Sequence, residues 1–212
     1  MTANQASPLG VCLVPGTWGW TGTPAIGAWW WPGSAFVARL ETRGFSLPSY
    51  TRPFTWSTDV NGIGSDHSDW RAGGEALYAY LVPPLCEDRR SSPDDTRLIC
   101  HSHGGQVALY ACAAGLKVRV LVTVATPVRR DMQAVITRAL PQIGYWLHVY
   151  ADGRSDWWQL AGALFDGRVG LYRQMADADQ NLPVPGAGHS TVLTDPAYDT
   201  YWDTIADVLA TA

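Results

Sequence analysis

The feature that most constrains this chain is Val118–Val124, seven residues reading VRVLVTV. A strand with one wet face alternates apolar and polar residues. A near-continuous β-branched run instead predicts a strand buried on both faces, in the middle of a parallel sheet. Its surroundings agree. Leu9–Val14 is a short apolar run closed by Pro15-Gly16, and Leu98–Cys100 and Tyr145–Tyr150 are further strand candidates, with Tyr50–Trp56 a plausible second strand. Between them lie stretches with helical spacing: 35–43, stopped by Gly44, then 70–81, 105–114, stopped by Gly115, 131–140, and a terminal 197–210 introduced by Asp195-Pro196. Strands alternating with helices predict an α/β fold: a mostly parallel twisted sheet of about five or six strands with helices on both faces.

The 212 residues suit one domain, read as 1–212, with no repeat, low-complexity tract or linker. A formal charge of −4 from 15 basic and 19 acidic side chains gives no basic footprint for nucleic acid. No apolar stretch of about 18 residues is free of Gly, Pro and charge, so no spanning helix is expected. Residues 1–8 lack the basic and apolar regions of a secretory signal. The four cysteines form no C-x-x-C pair, and Cys12, Cys100 and Cys112 lie in apolar runs as small hydrophobes. A reduced, cytoplasmic setting is the expectation. Oligomeric state leaves no mark in the sequence.

In open parallel sheets, reactive groups gather at the carboxyl ends of strands. After Leu98–Cys100 comes His101-Ser102-His103-Gly104-Gly105. A serine on a tight strand-to-helix turn needs small residues two positions to either side, and Cys100 and Gly104 supply them. Ser is also a favoured helix N-cap, so this context alone does not separate nucleophile from cap. A serine hydroxyl needs a base, and the base an orienting acid. His189 lies in a late loop, Gly186-Ala187-Gly188-His189-Ser190, and Asp152 and Asp156 follow the Tyr145–Tyr150 run. Ser, Asp, His is the chain order of a nucleophile elbow on an α/β sheet.

Across nearly its whole length the chain resembles a small α/β-hydrolase of the lipase/esterase type. The matching segments are CLVPGTWG (12–19), LICHSHGGQVAL (98–109), VTVATP (122–127), DWWQLAG (156–162) and GHSTVLTDP (188–196). The resemblance implies a Ser-His-Asp triad of Ser102, His189 and Asp156, with Asp152 the other acid. It implies an oxyanion hole from the backbone N–H of His103 and of Thr17 or Trp18. It also implies hydrolysis of a small-molecule or lipid carboxylic ester through an acyl-enzyme, without metal or organic cofactor. An acyltransferase or thioesterase would use the same scaffold. The sequence departs from the family twice: Cys100 stands where glycine is usual, and Pro15 where the oxyanion loop usually reads His-Gly. Proline offers neither an N–H nor a side-chain hydrogen bond to buttress that loop.

Two other features have competing readings. The His101/His103 pair resembles the start of an H-x-H-x-D-H zinc motif, but Gly105 and Gln106 occupy the next ligand positions, which disfavours a metal-dependent or non-catalytic role for the pair. Of 11 tryptophans, Trp18, Trp20, Trp29, Trp30 and Trp31 cluster just after the oxyanion loop. Trp18, Trp20, Trp29 and Trp30 are expected to wall an apolar acyl or aryl group, with at least one of the three consecutive indoles reaching the surface. About twenty residues separate Val124 from Tyr145, too few for a cap domain.

Overall fold

A computed structural model describes residues 9–17, 28–47, 53–56, 66–82, 95–151, 174–189, 191–193 and 199–212. In chain order the elements are β1 (Leu9–Val14), α1 (Ala35–Thr42), β2 (Phe45–Ser46), α2 (His67–Leu81), β3 (Arg97–His101), α3 (Gly104–Ala113), β4 (Val118–Val124), α4 (Gln133–Ala139), β5 (Ile143–Ala151), β6 (Gln180–Val184) and α5 (Asp199–Thr211). The strands form one six-stranded sheet in the order β2-β1-β3-β4-β5-β6. Every pairing is parallel.

Side-chain alternation divides the core. Cys12, Val14, Leu98, Cys100, Leu121 and Trp146 point to the face covered by α2, α3 and α4. Val11, Leu13, Ile99, Val122, Leu147 and Val149 point to the face covered by α1 and α5. Both faces of β4 are therefore buried, as its β-branched composition requires, and only Arg119 near its start is exposed. On the α3 face the buried Trp146 Nε1 donates to Thr123 Oγ1 at 2.9 Å, and Thr123 Oγ1 is 2.9 Å from His148 Nδ1. Trp146 can only donate, so Thr123 Oγ1 accepts from it and links the indole to the His148 imidazole.

The helix starts are capped as their sequences dictate. Ser34 accepts from Val37 N at 3.1 Å and donates to Trp29 O at 2.7 Å, which ties α1 to the tryptophan segment. Asp66 and Asp69 form a capping box on α2. Among the described residues no helix is long and apolar enough to cross a membrane.

Two elements differ from the sequence reading. The second strand is the two-residue β2 beside β1, not 50–56; residues 53–56 are irregular, and residues 50–52 lie outside the described set. Phe54 and Trp56 are buried by packing rather than by sheet pairing. β6, with no counterpart in the sequence reading, carries Gln180, Asn181 and Pro183. Proline removes a ladder donor, and such a strand is admitted at a sheet edge, where β6 lies.

Sheet order locates the site. From β1 the chain moves outward through α1 to β2, and from β3 it moves the other way through α3 to β4. Between the carboxyl ends of β1 and β3 the direction of winding reverses, and such a switch point opens a crevice.

Candidate active site

Ser102 lies one residue beyond β3 at that crevice, with φ +53°. Such left-handed backbone costs a non-glycine residue on the order of 1–3 kcal/mol and needs support from its surroundings. Ser102 N–H donates to Val124 O at 2.9 Å, Thr126 Oγ1 donates to Ser102 O at 2.9 Å, and Gly105 N–H donates to the same carbonyl at 3.0 Å. The end of β4 thus holds both sides of the serine peptide. Behind it α3 begins at Gly104, its N-terminal N–H groups and the positive end of its dipole facing the crevice.

Close packing explains the small residues. A Cβ on Gly104 would lie 2.5 Å from Val14 O and 2.6 Å from Pro15 O, so only glycine lets α3 begin against the end of β1. A Cβ on Gly16 would lie 2.8 Å from Ser102 Cβ, so the loop after β1 must be bare where it passes the hydroxyl. Cys100, fully buried, fills the position where the family usually has glycine. Burial pushes its thiol well above the ordinary value, so it packs as an uncharged hydrophobe.

His189 follows β6 by five residues, and its Nε2 is 2.9 Å from Ser102 Oγ. Its loop is stiffened locally: Gly188 N–H donates to Thr191 Oγ1 at 2.8 Å, and Val192 N–H donates to Gly188 O at 3.3 Å. His101 adds a longer-range tie. Its Nε2 donates to His189 O at 2.8 Å, and the two rings lie 4.9 Å apart. A carbonyl only accepts, so the His101 proton is on Nε2.

His103, beyond the serine, serves a different neighbourhood. Its Nδ1 is 2.6 Å from Thr17 Oγ1, and its ring lies 5.2 Å from that of Trp70 on α2. Burial first, then the charges of Arg129 and His189, bring its pKa down to about 4, so it is neutral at pH 7. The His101 and His103 imidazoles therefore engage different partners. Among the described residues no group of three His, Cys, Asp or Glu could hold a metal ion.

Of the other sequence-predicted site residues, Trp18, Trp20, Asp152 and Asp156 lie outside the described residues. In sequence Asp152 directly follows β5, which ends at Ala151, and Asp156 comes four residues later. Trp29 is buried, its ring 4.9 Å from Phe36 and 6.0 Å from His101. Trp30 stands edge-on to it at 5.8 Å, and Trp30 and Trp31 are both partly exposed. Three supports were not singled out from sequence: Trp56, whose Nε1 donates to Pro15 O at 2.7 Å, Thr126, and the tie from His101. Thr126 lies in the VTVATP segment of the family resemblance, a signal from which it could have been found. Trp56 contacts Pro15 across 41 residues of chain, and no local pattern reports such a contact.

No protein-family model matches the sequence. A search of curated proteins finds no significant match. Solved structures do match. Esterase PE8 is 16% identical, with 96% of this chain and 94% of that one covered at a TM-score of 0.51. A predicted CIB-like hydrolase from Thermoplasma acidophilum is 14% identical over 96% and 88%, at a TM-score of 0.56. A dienelactone hydrolase-like promiscuous phosphotriesterase from metagenomic libraries is 17% identical over 98% and 88%, also at 0.56. At such identities the likeness speaks to architecture. The chain has the α/β-hydrolase fold.

Proposed function

We propose that this protein is a serine hydrolase that cleaves carboxylic esters through an acyl-enzyme. One observation carries the reading: a serine held at φ +53° on a strand-to-helix turn, with an imidazole nitrogen 2.9 Å from its hydroxyl. The fold shared with esterases and hydrolases supports it. Ser102 Oγ attacks the ester carbonyl as its proton passes to His189 Nε2. The tetrahedral oxyanion accepts hydrogen bonds from the backbone N–H of His103 and of Thr17 or Trp18, each worth about 3 kcal/mol of barrier. Collapse breaks the bond to the alkoxide, which leaves with the proton from His189. Water then attacks the acyl-enzyme, giving its proton to His189, and the second collapse returns that proton to Ser102. Asp156 is the residue we assign to hold the His189 tautomer and stabilise the imidazolium. None of these steps calls for a cofactor.

The substrate we assign is a small-molecule or lipid ester with an apolar acyl or aryl group. Trp18, Trp20 and the partly exposed Trp30 would form the wall; Trp29, buried against Phe36, would back it. A panel of esters, thioesters and amides of graded acyl length tests the reading. Turnover of esters should exceed that of amides, and Ser102→Ala should lower it by at least about 10⁴-fold with the fold intact. Thioesters turned over far faster than esters would move the assignment to a thioesterase. Asp156→Asn should cost about 10³–10⁴-fold, and Asp152→Asn less than about tenfold.

A further inference from the structure

Proline at position 15 leaves the loop after β1 without the local buttress that the family's usual sequence would provide. The structure holds that loop through three contacts, one from Trp56 and two from the turn into α3. Trp56 Nε1 grips the Pro15 carbonyl at 2.7 Å. Gly104 at the start of α3 lies against the Val14 and Pro15 carbonyls with no room for a Cβ. Thr17 Oγ1 meets His103 Nδ1 at 2.6 Å. The last contact differs in kind, because it joins the side chains of His103 and Thr17, and the proposed function assigns oxyanion donors to the backbone of His103 and of Thr17 or Trp18.

The His103 ring is itself fixed from behind. Trp70 lies against it with centroids 5.2 Å apart and planes inclined by 37°. The guanidinium of Arg129 covers the Trp70 ring at 4.8 Å. Arg129 in turn is clamped by Asp131, Nε to Oδ1 at 3.0 Å and Nη2 to Oδ2 at 2.7 Å. Burial works against the Asp131 charge, but the hydrogen bonds from Arg129 and His67 win and hold its carboxyl below the usual range. A chain of contacts therefore runs from the β4–α4 connection through α2 to the imidazole, and from the imidazole to Thr17.

We propose that Thr17 and His103 are positioning residues whose side-chain hydrogen bond braces the oxyanion loop against the nucleophile turn. The proposal rests on the ester-hydrolase reading above. Two backbone donors stabilise an oxyanion only when both point at one oxygen, and displacements of about 1 Å can cost on the order of 10²-fold in rate. With proline at 15, the relative placement of the two donors is set across the crevice by this pair. Either imidazole tautomer serves, since a hydroxyl can donate or accept.

The test compares Thr17→Val, which keeps the shape and removes the hydroxyl, with Thr17→Ser, which keeps the hydroxyl. His103→Leu and the double variant Thr17→Val/His103→Leu complete a cycle. With p-nitrophenyl acetate, Thr17→Val and His103→Leu should each lose roughly 10–100-fold in kcat with KM within about threefold, and Thr17→Ser should recover to within about threefold of wild type. The double variant should lose no more than the worse single one, because both remove the same bond. Affinity for an alkyl boronic acid, which forms a tetrahedral adduct on serine, should fall in parallel with kcat/KM. Losses that multiply in the double variant, a Thr17→Ser variant as poor as Thr17→Val, or a Thr17→Val variant within about threefold of wild type would each overturn the brace. If wild-type protein neither turns over the ester nor binds the boronic acid, the ester-hydrolase reading falls first and takes the brace with it.

Discussion

Ser102 and Ala125 stand at the ends of neighbouring strands and share an unusual backbone, φ +53° and +48°, the only non-glycine residues with positive φ among those described. Their surroundings differ. Ser102 is partly exposed at the crevice, with an imidazole at its hydroxyl. Ala125 is fully buried against the α1 and α5 face, and its own N–H donates to Val149 O at 2.8 Å. What Ala125 accomplishes is geometric. It turns the chain at the end of β4 so that Thr126 reaches the Ser102 carbonyl, while Val124 O receives the Ser102 N–H. One strained turn presents a hydroxyl to an imidazole and the other holds that turn in place. Backbone strain alone therefore does not mark a nucleophile. The side chain on the strained residue, and what faces it, decides.

The two turns should separate most under acid. Next to Ser102 sits His103, whose pKa is lowered from the ordinary 6.5 to about 4, whereas Ala125, Thr126 and Pro127 have no ionisable group. In the folded protein His103 stays neutral as pH falls through 6.5, while the unfolded chain takes up the proton. Its contribution is therefore fully present above about pH 6.5 and is lost down to about pH 4, amounting to about 3 kcal/mol at most. Denaturant titrations at a series of pH values should show that slope in wild type and a shallower one in His103→Gln. Equal slopes would mean that the imbalance between the turns is not electrostatic.

Thr126→Val probes the supporting turn directly. It removes one hydrogen bond to the Ser102 carbonyl, so kcat should fall about tenfold and stability by about 1 kcal/mol. A loss as large as that of Ser102→Ala would make Thr126 a participant in the chemistry and abolish the distinction. The smallest effect belongs to Ala125→Gly. Relief of left-handed strain is offset by loss of a buried methyl, so stability should stay within about 1 kcal/mol and activity within about threefold. A marked fall in activity without a fall in stability would show that the methyl positions Thr126.

The sequence made one of these turns visible and not the other. Small residues around Ser102 and a late histidine are local patterns with known chemical use, so the strand-to-helix turn and its pairing with His189 could be read from them. The β4 strand was legible for a similar reason, since burial on both faces selects β-branched residues along its length. Ala125 and Thr126 looked like an ordinary strand end, because a positive φ at alanine has no compositional signature. β6 escaped because an edge position tolerates Gln180, Asn181 and Pro183, the residues that argue against a strand elsewhere. The aromatic run at 50–56 misled in the opposite direction. Phe54 and Trp56 are apolar to fill the core and to reach Pro15, not to pair in a sheet.

The departure at Pro15 carries the same lesson. Read locally, proline there weakens the loop after β1. In three dimensions Trp56 and the turn into α3, His103-Gly104, meet that loop from two separate parts of the chain. Such compensation depends on tertiary contact, so it is absent from any window of the sequence.

Covalent labelling tests the central claim most directly. Intact protein treated with a fluorophosphonate and analysed by mass spectrometry should carry one adduct per chain, mapped to Ser102. Ser102→Ala should take up none, and His189→Ala should react at least about 10³-fold more slowly. No adduct on folded wild-type protein, an adduct on another residue, or a His189→Ala variant labelled as fast as wild type would contradict the account.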